Sequence, residues 1–139
     1  MRDSHIRFFE YGSRIILGLA YGYGAGVHIA NMAGVRGFDW LHAPLKWQAL
    51  DVIYLIIDVA AVLALIFRPR IGFGIVITAA LSQIVLYTVF REWIINVPDA
   101  FRLEPSEIKY LDGLVAFHLA SLAIAGTAIL ASREIQPSR

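Results

Sequence analysis

The stretch WQALDVIYLIIDVAAVLALIF, residues 47–67, decides the fold, because it is long enough to cross a bilayer as a helix and carries only aspartates as charged side chains. About 20 predominantly apolar residues span the roughly 30 Å of hydrocarbon in a membrane. Similar stretches give four predicted spans, near residues 14–34, 47–67, 71–93 and 109–131. Backbone amides in lipid need partners within the segment, and each stretch is far longer than a barrel strand, so we expect helices. The sequence therefore predicts a single all-α domain over residues 1–139, an integral membrane four-helix bundle with up-down-up-down topology.

The composition supports a membrane protein and excludes several classes of function. The 139 residues are 58% hydrophobic and 17% charged, with a mean hydropathy of +0.65, which is too apolar for a soluble domain of this size. A net charge of +1 and the absence of a basic run argue against nucleic-acid binding. Because the chain has no cysteine, disulfides, thiolate metal sites and iron–sulfur ligation are excluded.

The distribution of basic residues predicts the orientation. Lys and Arg are more numerous beside the two termini and at the RPR turn, residues 68–70, than in the other loops, and short loops rich in these residues stay in the cytoplasm. We therefore expect a multi-pass protein of the inner (plasma) membrane with both termini in the cytoplasm. Trp40, Trp47 and Trp93 fall at the opposite boundary, where aromatic rings prefer the headgroup layer. The segment INVPDAFRLEPSE, residues 95–107, is either a cap or docking segment or a plain solvated loop.

The glycine-rich stretch GLAYGYGAGVHIANMAG, residues 18–34, is interpreted as a helix-packing surface. Its glycines lack the spacing and the strand-to-helix context of a dinucleotide fingerprint. Small residues recur at every fourth position, which lets two helices approach closely in lipid. We call this set the glycine ladder: Gly18, Gly22, Gly26, Ala30 and Gly34. It predicts contact with a neighbouring helix, either of this chain or of a partner subunit. Another face of the same helix carries Arg14, Tyr21, Ala25 and His28.

Polar side chains near the middle of the spans predict a pocket. Asp51, Tyr54 and Asp58 form one stripe on the second helix, and an ionised aspartate in lipid costs about 2.5–3.5 kcal/mol, so the stripe should face the bundle interior. With a rise of about 1.5 Å per residue, polar groups of all four helices lie at similar heights. The predicted ligand-binding residues are His28, Asp51, Tyr54, Asp58, Gln83 and His118. Near the membrane boundary we expect Asp112 to pair with Arg91, and we expect His5 and His42 to be solvated.

Several chemistries fit such a pocket, and no catalytic residue is assigned. Two histidines could ligate haem b, although a bundle this small leaves little room for a porphyrin. Histidine and carboxylate together could hold a divalent metal, but the residues are scattered one per helix and give no metal-ligand signature, so no metal site is assigned. A quinone or similar ligand would suit apolar walls with a few convergent polar groups that exchange protons. Alternatively, these groups only hydrogen-bond one another and fix the helix register.

The sequence resembles DoxX-like membrane proteins. The resemblance is carried by SRIILGLAYGYGAGVHIANMAGVRGFDWL, residues 13–41, and by LKWQALDVIYLIIDVAAVLALIFRPR, residues 45–70. It differs from the family at the end of the first helix, where His28 and Asn31 stand in place of a frequent lysine, and at Asp58, where glutamate is frequent. The resemblance implies a small inner-membrane protein connected with quinone-linked or oxidoreductase complexes, frequently as an accessory subunit.

Three functions follow from these features. The first is a subunit that binds a quinone-like ligand and supports electron transfer by a partner oxidoreductase. The second is a structural or assembly subunit that docks through the glycine ladder to other membrane subunits or to a second copy of the chain. The third is a proton-coupled transporter or membrane isomerase that uses Asp58 and His118 as acid and base.

Overall fold

The computed structural model describes residues 2–134, and these residues form α-helices and short 3-10 turns without any strand. The α-helices are α1 (Arg2–Met32), α2 (Leu45–Phe67), α3 (Pro69–Thr88), α4 (Arg91–Ile95) and α5 (Pro105–Glu134). One-turn 3-10 helices lie at Val35–Gly37, Trp40–His42 and Asp99–Phe101. Met1 and residues 135–139, which belong to the predicted domain, lie outside the described residues.

Four of these helices are long and apolar enough to cross a membrane. The qualifying segments are His5–Met32, Leu45–Phe67, Pro69–Thr88 and Pro105–Ser132. The predicted all-α class with four long apolar helices is therefore confirmed for the described part of the chain.

The long helices are arranged as a ring of neighbours. α1 packs on α2 and α5, and α3 also packs on α2 and α5. α2 and α3 are joined by Arg68 alone, and Pro69 occupies the first turn of α3, where its missing N–H needs no partner. Gly72 lets the two helices meet closely beside this turn, because a Cβ there would lie 2.5 Å from the backbone nitrogen of Leu65. We call this the turn end of the bundle.

The turn end is filled by side chains. Its core contains small alanines between larger apolar residues: Leu17, Tyr21, Ala61, Leu65, Phe73, Val76, Ala79, Ala125 and Ala128. Alanines at helix contacts allow close packing, which is one source of helix association in lipid. Arg14 secures the same end, since its Nε donates to the carbonyl of Leu65 at 2.9 Å and its Nη2 donates to that of Ile66 at 3.0 Å.

Helix boundaries differ from the predicted spans. α1 begins well before residue 14, and α3 ends at Thr88, although the apolar pattern predicted a span to residue 93. After Thr88 the amide of Phe90 donates to the carbonyl of Val85, five residues back, so the regular ladder stops and α4 starts as a separate short helix. α1 ends before Gly34, whose left-handed backbone, with φ of 67°, suits glycine after a helix.

The opposite end, which we call the loop end, is held together by contacts between α4 and the start of α2. The Lys46 ammonium donates to the carbonyls of Trp93 and Asn96, and the Trp47 indole donates to the carbonyl of Ile94 at 3.1 Å. The ring of Phe101 meets Trp47 edge-on, with centroids 6.3 Å apart. The segment 95–107 is therefore attached to α2 at Trp47.

Candidate functional site

A cavity of about 410 Å³ lies between the long helices at the loop end of the bundle. Every predicted ligand-binding residue lines it: His28, Asp51, Tyr54, Asp58, Gln83 and His118. Leu103 and Glu107, from the segment predicted as a cap or a solvated loop, also line the cavity. The structure thus brings polar groups of α1, α2, α3 and α5 to one space.

Asp51 accepts several hydrogen bonds in the cavity wall nearest the loop that follows α1. Its Oδ1 accepts hydrogen bonds from Nδ1 of His28 at 2.7 Å and from the Asn31 amide at 3.1 Å. Its Oδ2 accepts one from the Trp40 indole at 3.0 Å. Because these donors lie on α1 and on the loop that follows it, Asp51 fixes the end of α1, the loop and the orientation of the His28 ring together.

Asp58 lies deeper in the cavity and is 3% exposed. Its Oδ1 is buried and has no hydrogen-bond partner among the described residues. Its Oδ2 lies 3.9 Å from Nε2 of His28, which is beyond a hydrogen bond. Gly24 makes room for this carboxylate, since a Cβ at that position would lie 2.5 Å from Oδ2. Asp58 therefore keeps an acceptor free within the cavity wall.

His118 occupies the α5 wall and is also 3% exposed. Its Nδ1 is buried and has no hydrogen-bond partner in the described part of the chain. Its ring stacks on Tyr87, with centroids 6.4 Å apart and planes 27° apart, and meets Tyr21 edge-on. These aromatic contacts hold the His118 ring in place and leave Nδ1 without a hydrogen bond.

The remaining polar residues have partners of their own. The Tyr87 hydroxyl donates to Oε1 of Gln83 at 3.2 Å, and the hydroxyls of Tyr54 and Ser82 are 3.2 Å apart. The Tyr54 ring stacks on His28, with centroids 6.3 Å apart. These contacts stabilise the wall formed by α2 and α3.

The walls between the polar groups are mostly aromatic and aliphatic. The aromatic lining residues are Tyr21, Tyr23, Phe38, Trp47, Tyr54, Tyr87, Tyr110 and Phe117. Ligand sites in proteins are typically cavities of about 300–1,000 Å³ with apolar walls and few polar groups, and this cavity falls in that range. An apolar cavity of this size with a few polar side chains suits an apolar ligand that carries polar atoms. Among residues 2–134, no group of three or more His, Asp or Glu side chains is placed to hold a metal ion.

The glycine ladder makes little contact within the chain. A Cβ at Gly18 or Gly26 would meet no atom within 4 Å, and one at Gly22 would lie 3.9 Å from Val62. Ala30 is half-buried, and Gly34 lies in the loop after α1. Contact of the ladder with a partner subunit stays a prediction. The close approaches between helices occur instead at Gly24 and Gly72.

Two of the polar pairs outside the cavity involve residues considered in the sequence analysis. Arg91 and Asp112 are 2.5 Å apart, which confirms the pairing expected from the sequence, and this hydrogen bond raises the pKa of Arg91. His42 is exposed and bonds to Asp39 at 2.9 Å, which lowers the pKa of Asp39. His5 is also exposed. Both histidines expected to be solvated are therefore exposed.

Sequence reasoning missed several residues of the site. Gly24 does not belong to the glycine ladder, so the fourfold spacing did not predict a role for it. Asn31 and Trp40 reach Asp51 only because of the loop conformation after α1. Tyr23 and Tyr110 line the cavity from exposed positions, and their spacing along the helices gave no signal for it.

Comparisons with protein-family models, curated proteins and solved structures found no match to this chain. The likeness to DoxX-like proteins therefore stays a prediction from the sequence.

Proposed function

We propose that the chain is a multi-pass membrane protein whose four long helices cross the bilayer in alternating directions. Contacts between α1 and α2 support this topology, because Arg14, in the first half of α1, reaches Leu65, late in α2. Late in α1, His28 reaches Asp51, early in α2. The excess of basic residues beside the termini supports a cytoplasmic position for both termini.

We propose further that the cavity binds a quinone-like molecule and that the protein serves a membrane oxidoreductase as an accessory subunit. The observation that carries this proposal is that Asp58 and His118, which each hold a buried polar atom without a hydrogen-bond partner among the described residues, line one mostly apolar cavity. An unsatisfied buried polar group costs about 1–3 kcal/mol, and a ligand that bonds to both groups would recover that energy. A quinone ring has oxygens on opposite edges and flat faces that suit aromatic walls.

The residues have distinct roles in this proposal. Protonated Asp58 and an N–H of His118 donate to the oxygens of the oxidised ring, and the deprotonated groups accept from the hydroxyls of the reduced ring. Protons thus move between these residues and the ring when a partner oxidoreductase adds or removes electrons. Tyr87 supports His118 by stacking and holds Gln83. Asp51 keeps His28 beside Asp58.

Solvent extraction of the purified protein tests this function. Protein isolated from its own membrane in mild detergent should yield quinone, measured by its absorbance before and after reduction. Asp58→Ala and His118→Ala should each lower the quinone content by about tenfold, the equivalent of one lost hydrogen bond of roughly 1.4 kcal/mol. Asp112→Asn and His42→Ala are matched controls outside the cavity and should retain it. Quinone-free wild-type protein, or equal content in all variants, would overturn the proposal.

An assembly subunit is the second candidate, favoured by the open surface beside Gly18 and Gly26. In that case Gly26→Leu should release the chain from a larger complex on a native gel while its helices remain folded. Gly113→Leu is the control, since a Cβ at Gly113 on α5 also meets open space and lies off the ladder. Unchanged mobility of the Gly26 variant would exclude docking through this surface.

A further inference from the structure

Strongly exposed residues line the cavity on its α1 and α5 side and not on its α2 and α3 side. On the α2 and α3 side, the lining residues Asp51, Tyr54 and Gln83 are 8%, 6% and 6% exposed. On the α1 and α5 side, Tyr21 and His118 are 2% and 3% exposed, but Tyr23 is 73% exposed and Tyr110 is 59% exposed, although both line the cavity. Residues that line a cavity and also face outward mark the place where it opens.

The opening lies between α1 and α5, which are the first and last long helices in the chain. Phe117 of α5, also a lining residue, is 39% exposed and sits 6.3 Å from Tyr21 of α1 between ring centroids. Tyr23 and Phe117 both belong to segments apolar enough to cross the membrane. In a bilayer this seam therefore faces lipid rather than water.

We propose that the cavity opens sideways into the bilayer between α1 and α5, and that its ligand carries an apolar tail that leaves past Tyr23 and Phe117 while its ring lies against Asp58 and His118. This inference rests on the proposed quinone-binding function and names the class of quinone as tailed and lipid-soluble. A tail that remains in lipid needs no volume inside the cavity, so about 410 Å³ has to hold only the ring. The alternative is an opening to water beside Glu107, which also lines the cavity and is exposed.

Probes with and without a tail distinguish an opening to lipid from an opening to water. The protein is placed in lipid nanodiscs, and quenching of Trp47, which lines the cavity, reports quinone binding. Trp47→Phe supplies the background from Trp40 and Trp93. The probes are tetramethylbenzoquinone, which has no tail, and its analogue in which a decyl chain replaces one methyl. The lateral opening predicts that both probes quench Trp47, with equal affinities when their concentrations are expressed per lipid.

Quenching by the tailless probe alone would overturn the lateral opening and leave the proposed function standing. If neither probe quenches Trp47, the proposed function is overturned, and the inference with it.

A blocking experiment tests the position of the opening. Because the chain has no native cysteine, Tyr23→Cys can be labelled in detergent with a bulky maleimide before reconstitution. Association of the decyl probe should then slow by about tenfold or more. Tyr11→Cys with the same label is the control, since Tyr11 is 60% exposed on the same helix and lies away from the cavity. Equal rates for the two labelled proteins would contradict an opening beside Tyr23.

Discussion

A Cβ atom on Gly24 of α1 would lie 2.5 Å from Oδ2 of Asp58 on α2, so the missing side chain at residue 24 provides the space for this carboxylate. Gly24→Ala should displace the Asp58 carboxylate and lower quinone content as strongly as Asp58→Ala does. Alanine is favoured over glycine in a helix by about 1 kcal/mol, so the loss should not come from a weaker α1. Quinone content and thermal unfolding in detergent measure the two effects separately.

Gly26→Ala is the matched control for Gly24, because a Cβ there meets no atom within 4 Å. It should keep the quinone and unfold at the same or a higher temperature. Equal quinone content in the Gly24 and Gly26 variants would show that Asp58 does not depend on the space beside Gly24.

Gly72→Ala should strongly destabilise the turn end of the bundle. The new Cβ would lie 2.5 Å from the nitrogen and 2.7 Å from the Cα of Leu65, and backbone atoms can move only if α2 and α3 separate. Overpacking of this kind costs about 1–3 kcal/mol or more. A drop in the unfolding temperature measured by circular dichroism checks this, with Gly74→Ala as control on the same helix, where no atom lies within 4 Å. Equal unfolding temperatures would refute a tight contact at Gly72.

Arg14→Gln should destabilise the same end by about 1–3 kcal/mol, because it removes charged hydrogen bonds to the last carbonyls of α2. Arg7→Gln replaces an exposed arginine on the same helix and should change little. Denaturant unfolding of both variants in the same detergent gives the comparison. If the Arg7 variant lost as much stability, the effect would come from charge rather than from the contact with α2.

Asp51→Asn should loosen the loop end of the bundle. Its carboxylate accepts hydrogen bonds from His28, Asn31 and Trp40, and loss of the charge should cost about 2–3 kcal/mol. Asp112→Asn is the control, because that carboxylate is exposed and its pair with Arg91 should contribute little. The Trp40 emission maximum should shift in the Asp51 variant alone. An unchanged spectrum would contradict the hydrogen bond between Trp40 and Asp51.

Much of the fold is determined by hydropathy, which is why it could be predicted. The long apolar runs locate the four membrane-length helices, because length and composition alone decide whether a helix can cross lipid. The boundary at Thr88 was missed because the apolar pattern continues to Trp93. The helix breaks there where the amide of Phe90 donates to the carbonyl of Val85. No residue type in this segment predicts that hydrogen bond.

The polar residues of the candidate site could be predicted from the sequence, but the shape of the cavity could not. Comparing heights along the helices identified Asp58 and His118 as members of one layer, and the structure places both in one cavity. The role of Gly24 depends on how α1 is rotated against α2, which fourfold spacing does not reveal. The difference between the filled turn end and the hollow loop end depends on the packing of all four helices at once.

Native mass spectrometry tests most directly whether Asp58 and His118 hold a ligand between them. Wild-type protein, released from its own membrane in mild detergent, should carry one bound molecule whose mass matches a tailed quinone. The double variant Asp58→Ala with His118→Ala should appear at the mass of the bare chain, while Asp112→Asn keeps the bound molecule. The same bound mass in the double variant, or a bare wild-type chain, would contradict a ligand held between these two residues.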